Sequence, residues 1–213
     1  MATLEPDSPT TEVKLVPKLF HNFVGVYQPT DALLEYVQAS VPQLKNIQNV
    51  HRVFEIDPAI LLRSLDPIAT DNSPYFVIPL NRMFEATRKL IRPIWKEFRD
   101  FYYPEIFAEK SPLNPLFDYW RSNHSVEPKI AVMREGIIDL SSIVLLVMIP
   151  IFETGDVRIQ ASPIDGGDLI TIEWHPGSVI LVPSKSDLIL RGKGQLVCQV
   201  FSFAQIQFIS QRS

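Results

Sequence analysis

The sequence predicts an α+β fold, with helices first and an antiparallel β part after them. Two observations carry that expectation. Of the eight glycines only Gly25 precedes position 136, so tight turns concentrate in the last third of the chain. From Lys129 onward the apolar period also changes, from helical spacing to short β-branched and aromatic runs separated by turn residues.

The helical signals are local. In "PTDALLEYVQASV", Thr30 offers an N-cap, Asp31 stands in the first turn, and Leu33, Leu34 and Val37 share a face. "DPAILLRSL" places Asp57 as N-cap and Pro58 at the first helical position. The longest candidate runs from Asn81 to about Tyr103, with Met83, Leu90, Ile91, Ile94, Trp95, Phe98 and Phe101 at helical spacing. Pro93 is expected to kink it, because proline removes a backbone donor and crowds the preceding turn. This helix carries six basic and three acidic residues, which reads as a solvated face rather than a nucleic-acid stripe.

The β signals are "KIAVMREG", "SIVLLVMIPIFE", "DVRIQASPI", "DLITIEWH", "GSVILVPS", "DLILRG" and "QLVCQVFSFAQIQFI". They predict about seven strands in a sandwich or small barrel. Residues 1–12, "MATLEPDSPTTE", are expected to be a disordered tail, 13–128 a helix-rich part and 129–213 the β-barrel part, with 13–213 one folding unit.

Composition bounds the function. A hydrophobic fraction of 46% with 21% charged residues supports a globular protein with a substantial core. A net charge of −4 gives no footprint for nucleic acid or an anionic membrane surface. One cysteine, Cys198, excludes an intrachain disulfide and a Cys-rich zinc site; it reads as a buried, inert thiol. Glu5 and Asp7 stand where a secretory signal would be basic and then apolar, and the run from Leu140 to Phe152 is too short to span a bilayer. An intracellular protein, cytoplasmic or nuclear, is the expectation. Asp165 and Asp168 in "DGGD" are read as turn residues rather than calcium ligands.

The phrase "HPGSVILVP", a Pro-Gly turn followed by a strand ending in Pro183, resembles the second motif of the cupins and the late-barrel strand of Fe(II)/2-oxoglutarate oxygenases. The hairpins before it, "FETGDVRIQASPIDGGDLITIEW", are similar too. The resemblance covers roughly Lys129 to Ile209 and implies a double-stranded β-helix, a jelly-roll-like barrel, with N-terminal helices packed on it. It also implies Fe(II) held by two histidines and a carboxylate, with 2-oxoglutarate as cosubstrate.

The chain departs from that ligand set at every point. "MREGIIDLSS", where a His-x-Asp pair belongs, has no histidine. Leu188 takes the place of the distal histidine. Cys198 and Gln199 stand where an arginine would grip 2-oxoglutarate, and Arg191 comes too early. The expectation is therefore no metal and no cofactor. An alternative triad of His124, Glu127 and His175 would require an irregular strand and a ligand on the Pro-Gly turn; otherwise His124 and His175 are surface loop residues. His21 and His51 stand among apolar residues, as hydrogen-bonded histidines rather than ligands.

The leading functional expectation is a non-catalytic, oxygenase-like barrel that binds a partner protein or a small molecule. An enzyme is the second: a metal-independent isomerase or cyclase, or an atypical Fe(II)/2-oxoglutarate oxygenase. A structural jelly-roll subunit is the third, and oligomerisation stays open. Catalytic residues are unknown at this point. A polar interior would favour the enzyme, an apolar plugged interior the scaffold, and an exposed apolar sheet face assembly.

Overall fold

Strand formation begins earlier than the glycine pattern suggests. The computed structural model describes residues 18–20, 24–45, 75–79, 83, 85–107, 128–138, 140, 143–183 and 186–204. In chain order its elements begin with β1 (Lys18–Phe20), β2 (Val24–Tyr27), α1 (Asp31–Leu44) and β3 (Tyr75–Pro79). Next come α2 (Glu85–Glu97), a π-helical turn (Phe98–Tyr102) and the short α3 (Tyr103–Ile106). The β part follows as β4 (Lys129–Met133), β5 (Gly136–Ile138), β6 (Ile143–Gly155) and β7 (Arg158–Pro163). It continues with β8 (Ile170–Ile172), β9 (Val179–Pro183), β10 (Ser186–Arg191) and β11 (Gly194–Ala204).

The α+β expectation holds, with two refinements. "KIAVMREG" and the residues after it divide into β4 and β5 around Arg134 and Glu135, so eight strands follow Pro128. The part expected to be helical also supplies β1, β2 and β3. All pairings are antiparallel, in a seven-stranded sheet of order β1-β2-β9-β6-β11-β4-β3 and a four-stranded sheet of order β5-β10-β7-β8. The expected tail 1–12 and the "DPAILLRSL" helix lie outside the described residues.

The large sheet is buried on both faces. Ala131, Met133, Leu146, Met148, Ile180, Val182 and Leu196 point toward the small sheet and meet Ile159, Ala161, Ile170, Leu188 and Leu190. Ile130, Val132, Val147, Ile149, Val197 and Phe201 point the other way, into a second core with the helices. The alternation of the strands sends successive side chains to opposite faces, so a sheet with two covered faces reads as an unbroken apolar run.

The helices grip the second face through aromatic side chains. Thr87, Ile91, Ile94, Phe98 and Tyr102 recur every three or four residues and are buried. Phe98 stacks on Phe201 with ring centroids 4.9 Å apart, and Trp95 lies against the same ring at 4.7 Å. Such pairs add about 0.5–1.5 kcal/mol beyond their buried area. The helix runs through Pro93 as far as Glu97, and its irregularity comes later than expected. Tyr103 donates its N–H five residues back to the Phe98 carbonyl. Pro104 has no N–H with which to continue the ordinary ladder at Asp100, and the chain widens into the π turn instead.

Thr30 and Tyr102 bind the two helical segments together. The Thr30 hydroxyl oxygen caps α1, accepting from the Leu33 N–H at 3.1 Å, and its O–H donates to Glu97 Oε1 at 2.9 Å. The Tyr102 hydroxyl accepts from the Thr30 N–H at 2.8 Å and donates to the Gln28 carbonyl at 2.9 Å. Burial is the main influence on this phenol and raises it above the usual tyrosine pKa of 10.0, against the lowering effect of the Thr30 hydrogen bonds. Because the folded value is the higher one, the stabilisation is complete below pH 10 and is lost as pH rises through the folded pKa. Tyr102→Phe leaves two backbone groups without a partner, so it should cost about 1–3 kcal/mol at neutral pH. The variant should also lose less stability than the parent on alkaline titration, while Tyr27 and Tyr103, raised by burial too, keep part of that loss. Urea denaturation at neutral and alkaline pH checks both statements.

Candidate functional site

The interior between the two sheets is where the resemblance would put a metal. β5 and β10 are neighbours there, with Ile138 opposite Leu188. Leu188 and Leu190 enter the inter-sheet core, and Ile189 leaves by the outer face of the small sheet beside Gln160 and Ile137. This is the parity that the strand pattern predicts. Ile138 and Leu140 are 4% and 2% exposed and Leu188 is fully buried, so the place is filled by aliphatic packing.

The other candidate positions follow from the same alternation. Cys198 points into the inter-sheet core with Leu196 and Val200, and burial pushes its thiol far above the usual cysteine range. Gln199 points the opposite way, between Ile130 and Ile149 of the neighbouring strands. It is fully buried, and neither its amide oxygen nor its nitrogen has a hydrogen-bond partner among the described residues. Arg191 is exposed on the outer side of β10, so its guanidinium is turned away from the interior. Ser186 begins β10 on the inward side, and its buried hydroxyl also lacks a partner among the described residues.

Of the alternative triad only His175 is described; His124 and Glu127 lie outside the described residues, as do His21 and His51. His175 is exposed on the turn between β8 and β9. Its N–H donates to Ser178 Oγ at 3.0 Å and its carbonyl accepts from the Ser178 N–H at 2.9 Å. The next link is Gly177, whose N–H donates to the Pro150 carbonyl at 2.8 Å. Gly177 has φ +84°, and a Cβ there would lie 3.1 Å from Pro29 Cβ, so the Pro-Gly motif is a backbone requirement of this turn. His175 borders a recess beneath α1, on the helix-facing side of the large sheet, that the sequence gives no sign of. Asp165 and Asp168 are exposed in the β7–β8 turn, which is closed by the Gly166 N–H on the Pro163 carbonyl at 3.2 Å.

With this geometry the chain has an oxygenase-like fold. The structure of a prolyl hydroxylase from Trichoplax adhaerens, in complex with a hypoxia inducible factor oxygen degradation domain peptide fragment, covers 86% of this chain and 84% of its own at 10% identity, with a TM-score of 0.54. A prolyl-4-hydroxylase from Pseudomonas putida covers 86% and 93% at 12% identity, with a TM-score of 0.48. The dioxygenase for auxin oxidation 1 from Arabidopsis thaliana, in a binary complex with 2-oxoglutarate, covers 82% and 79% at 8% identity, with a TM-score of 0.47. No protein-family model matches the sequence, and no curated protein matches it. At these identities the likeness is one of fold.

Fe(II) with 2-oxoglutarate is the group such a fold implies, and the described residues do not fit it. An Fe(II) site needs imidazole and carboxylate ligands converging on one point. The inward side chains here are Ile138, Leu140, Leu188 and Leu190, with Cys198 and Val200 from β11. Among the described residues no three His, Cys, Asp or Glu side chains gather where they could hold a metal ion.

Two substitutions test this geometry. Leu188→Ala should cost about 2–5 kcal/mol by opening a cavity in the inter-sheet core; an unchanged melting temperature would place position 188 outside it. Gln199→Met should do the opposite. It removes two unsatisfied buried polar atoms at nearly constant shape, so denaturation should report a gain of roughly 1–3 kcal/mol.

Proposed function

We propose that this protein is a non-catalytic, oxygenase-like barrel that acts by binding, with a small molecule or a partner protein as its target. The observation that carries this reading is the aliphatic plug made by Ile138 and Leu188, the interior that favours a scaffold over an enzyme. The strand order supports reading the barrel as a double-stranded β-helix: β4, β6, β9 and β11 lie together in the large sheet and β5, β7, β8 and β10 in the small one. Residues 13–213 are read as one folding unit, because β1, β2 and β3 extend the same large sheet at its two edges. The large exposed apolar side chains are spread over α1, β5 and the β7–β8 turn, which weighs against an assembly face.

The second reading is an oxygenase with the unusual ligand set His124, Glu127 and His175, and the fold shared with a prolyl hydroxylase favours it. The two readings separate cleanly in a calorimetric titration with Fe(II) or Mn(II) in the presence of 2-oxoglutarate. The expected result is no saturable binding. Micromolar binding that disappears in both His124→Ala and His175→Ala would reverse the order of the readings.

A further inference from the structure

Ile151 and Phe152 are consecutive, yet both side chains belong to the helix-facing core. Ile151 is the extra residue of a β-bulge: Val197 pairs with Phe152 and Cys198 with Pro150, which leaves Ile151 without an opposite number on β11. The doubled side chains floor an open recess of ≈ 500 Å³ between β6, α1 and the His175 turn. One wall is a stripe of α1, Leu34, Gln38, Val41 and Lys45, spaced by three or four residues. Pro29 and Pro176 add to the apolar lining.

The polar groups around this recess are few and balanced. Lys45 and Glu153 carry opposite charges, so the lining has no net charge to select an ion. Gln28, Gln38 and His175 offer hydrogen-bonding groups without a fixed charge of their own at the amides. His175 is presented by a turn whose backbone is held from both sides by the buried Ser178. Small-molecule sites have this construction, a mostly apolar recess of roughly 300–1,000 Å³ with a few placed polar groups. A protein partner would need apolar surface around the mouth; of the large exposed hydrophobics, Tyr36 is on α1 but outside the stripe that lines the recess, and Ile137, Ile164 and Leu169 lie on other elements.

We propose that this cavity binds a small, uncharged, largely apolar molecule, oriented by one hydrogen bond at His175. The proposal rests on reading the protein as a binding barrel, and it moves the ligand from the barrel interior to the opposite face of the large sheet.

The test uses the full chain and three probes: 1-naphthol, naphthalene without the hydroxyl, and 1-naphthoate as the anionic control. Methyl NMR should show saturable binding of 1-naphthol, with shifts at Leu34, Val41 and Ile151. Gln38→Trp, on the exposed lip, should weaken binding by about tenfold or more while the melting temperature is kept, and Val41→Trp, beside the core, should weaken it as much. His175→Ala should weaken 1-naphthol several-fold and leave naphthalene unchanged. Absence of saturation, tighter binding of 1-naphthoate, or shifts centred on Ile138 and Leu188 would each overturn the proposal. The iron and 2-oxoglutarate titration on the same sample separates the two levels. Failure of 1-naphthol without iron binding removes the cavity alone, and iron binding beside 1-naphthol binding removes the non-catalytic reading alone.

Discussion

The pairing of β6 with β11 holds the two halves of the molecule to one frame. Its register runs from Gly155 opposite Gly194 to Ile143 opposite Ala204, in the middle of the large sheet. Leu146, Met148, Leu196, Cys198 and Val200 of this ladder join the inter-sheet core and Leu145, Val147, Ile149, Val197 and Phe201 the helix-facing one, so two cores depend on a single set of backbone hydrogen bonds. The bulge at Ile151 changes the parity along it. Leu145, Val147 and Ile149 face the helices before the bulge, and Phe152 does so after it. Pro150 lies beyond the last β6–β9 pair, Met148 with Ile180, so its missing N–H interrupts nothing on that side. Its carbonyl is left to receive the Gly177 N–H, which ties the Pro-Gly turn to the same frame.

Burial on both faces sets the electrostatics of everything the ladder carries. A thiol at Cys198 has no water to stabilise its anion, and an amide at Gln199 has lost its solvent partners without gaining one among the described residues. An ionic centre in such an interior is tolerable only when ligands surround it and are themselves hydrogen-bonded. Without them, leucine and isoleucine are the stable occupants, each contributing roughly 1.5–3 kcal/mol on full burial. Packing at Ile138 and Leu188 has that character: both are buried among aliphatic neighbours between the sheets.

Much of this was legible in the sequence, for reasons that differ by element. The strands after Lys129 announce themselves because glycine turns bracket them; period-two alternation put Leu188 and Leu190 on one face and Ile189 on the other, and the fold resemblance indicated which face is inward. Thr30 was legible as a cap because capping is local. β2 was not, because "VGVY" is four residues long and buried throughout, which leaves no alternation to read. The irregularity of the long helix was placed at Pro93, whereas it arises at Phe98–Tyr102 beside Pro104. The facing of Gln199 follows from alternation, but its lack of a partner depends on β4 and β6, far away in sequence. The recess under α1 was invisible for the same reason, since a bulge is a mismatch between two strands and belongs to neither one alone.

The two faces of the large sheet consequently differ in what they can do. Toward the small sheet, alternating aliphatic side chains from β4, β9 and β10 interdigitate, and the space closes. Toward the helices, one inserted residue at Ile151 breaks that regularity just where α1 must pass the Pro-Gly turn. Pro29 and Leu34 occupy the space that a side chain at position 177 would need, so the start of α1 and the Pro-Gly turn lie close together there. Closing the recess would require bulkier side chains at Gln38 or Val41, and the chain places an amide and a valine there. In the interior the sequence spends large aliphatic residues on filling space; at the bulge it leaves the space open and sets His175 at its edge. That contrast, within one sheet and one ladder, is the physical basis for looking for ligand on the helix side.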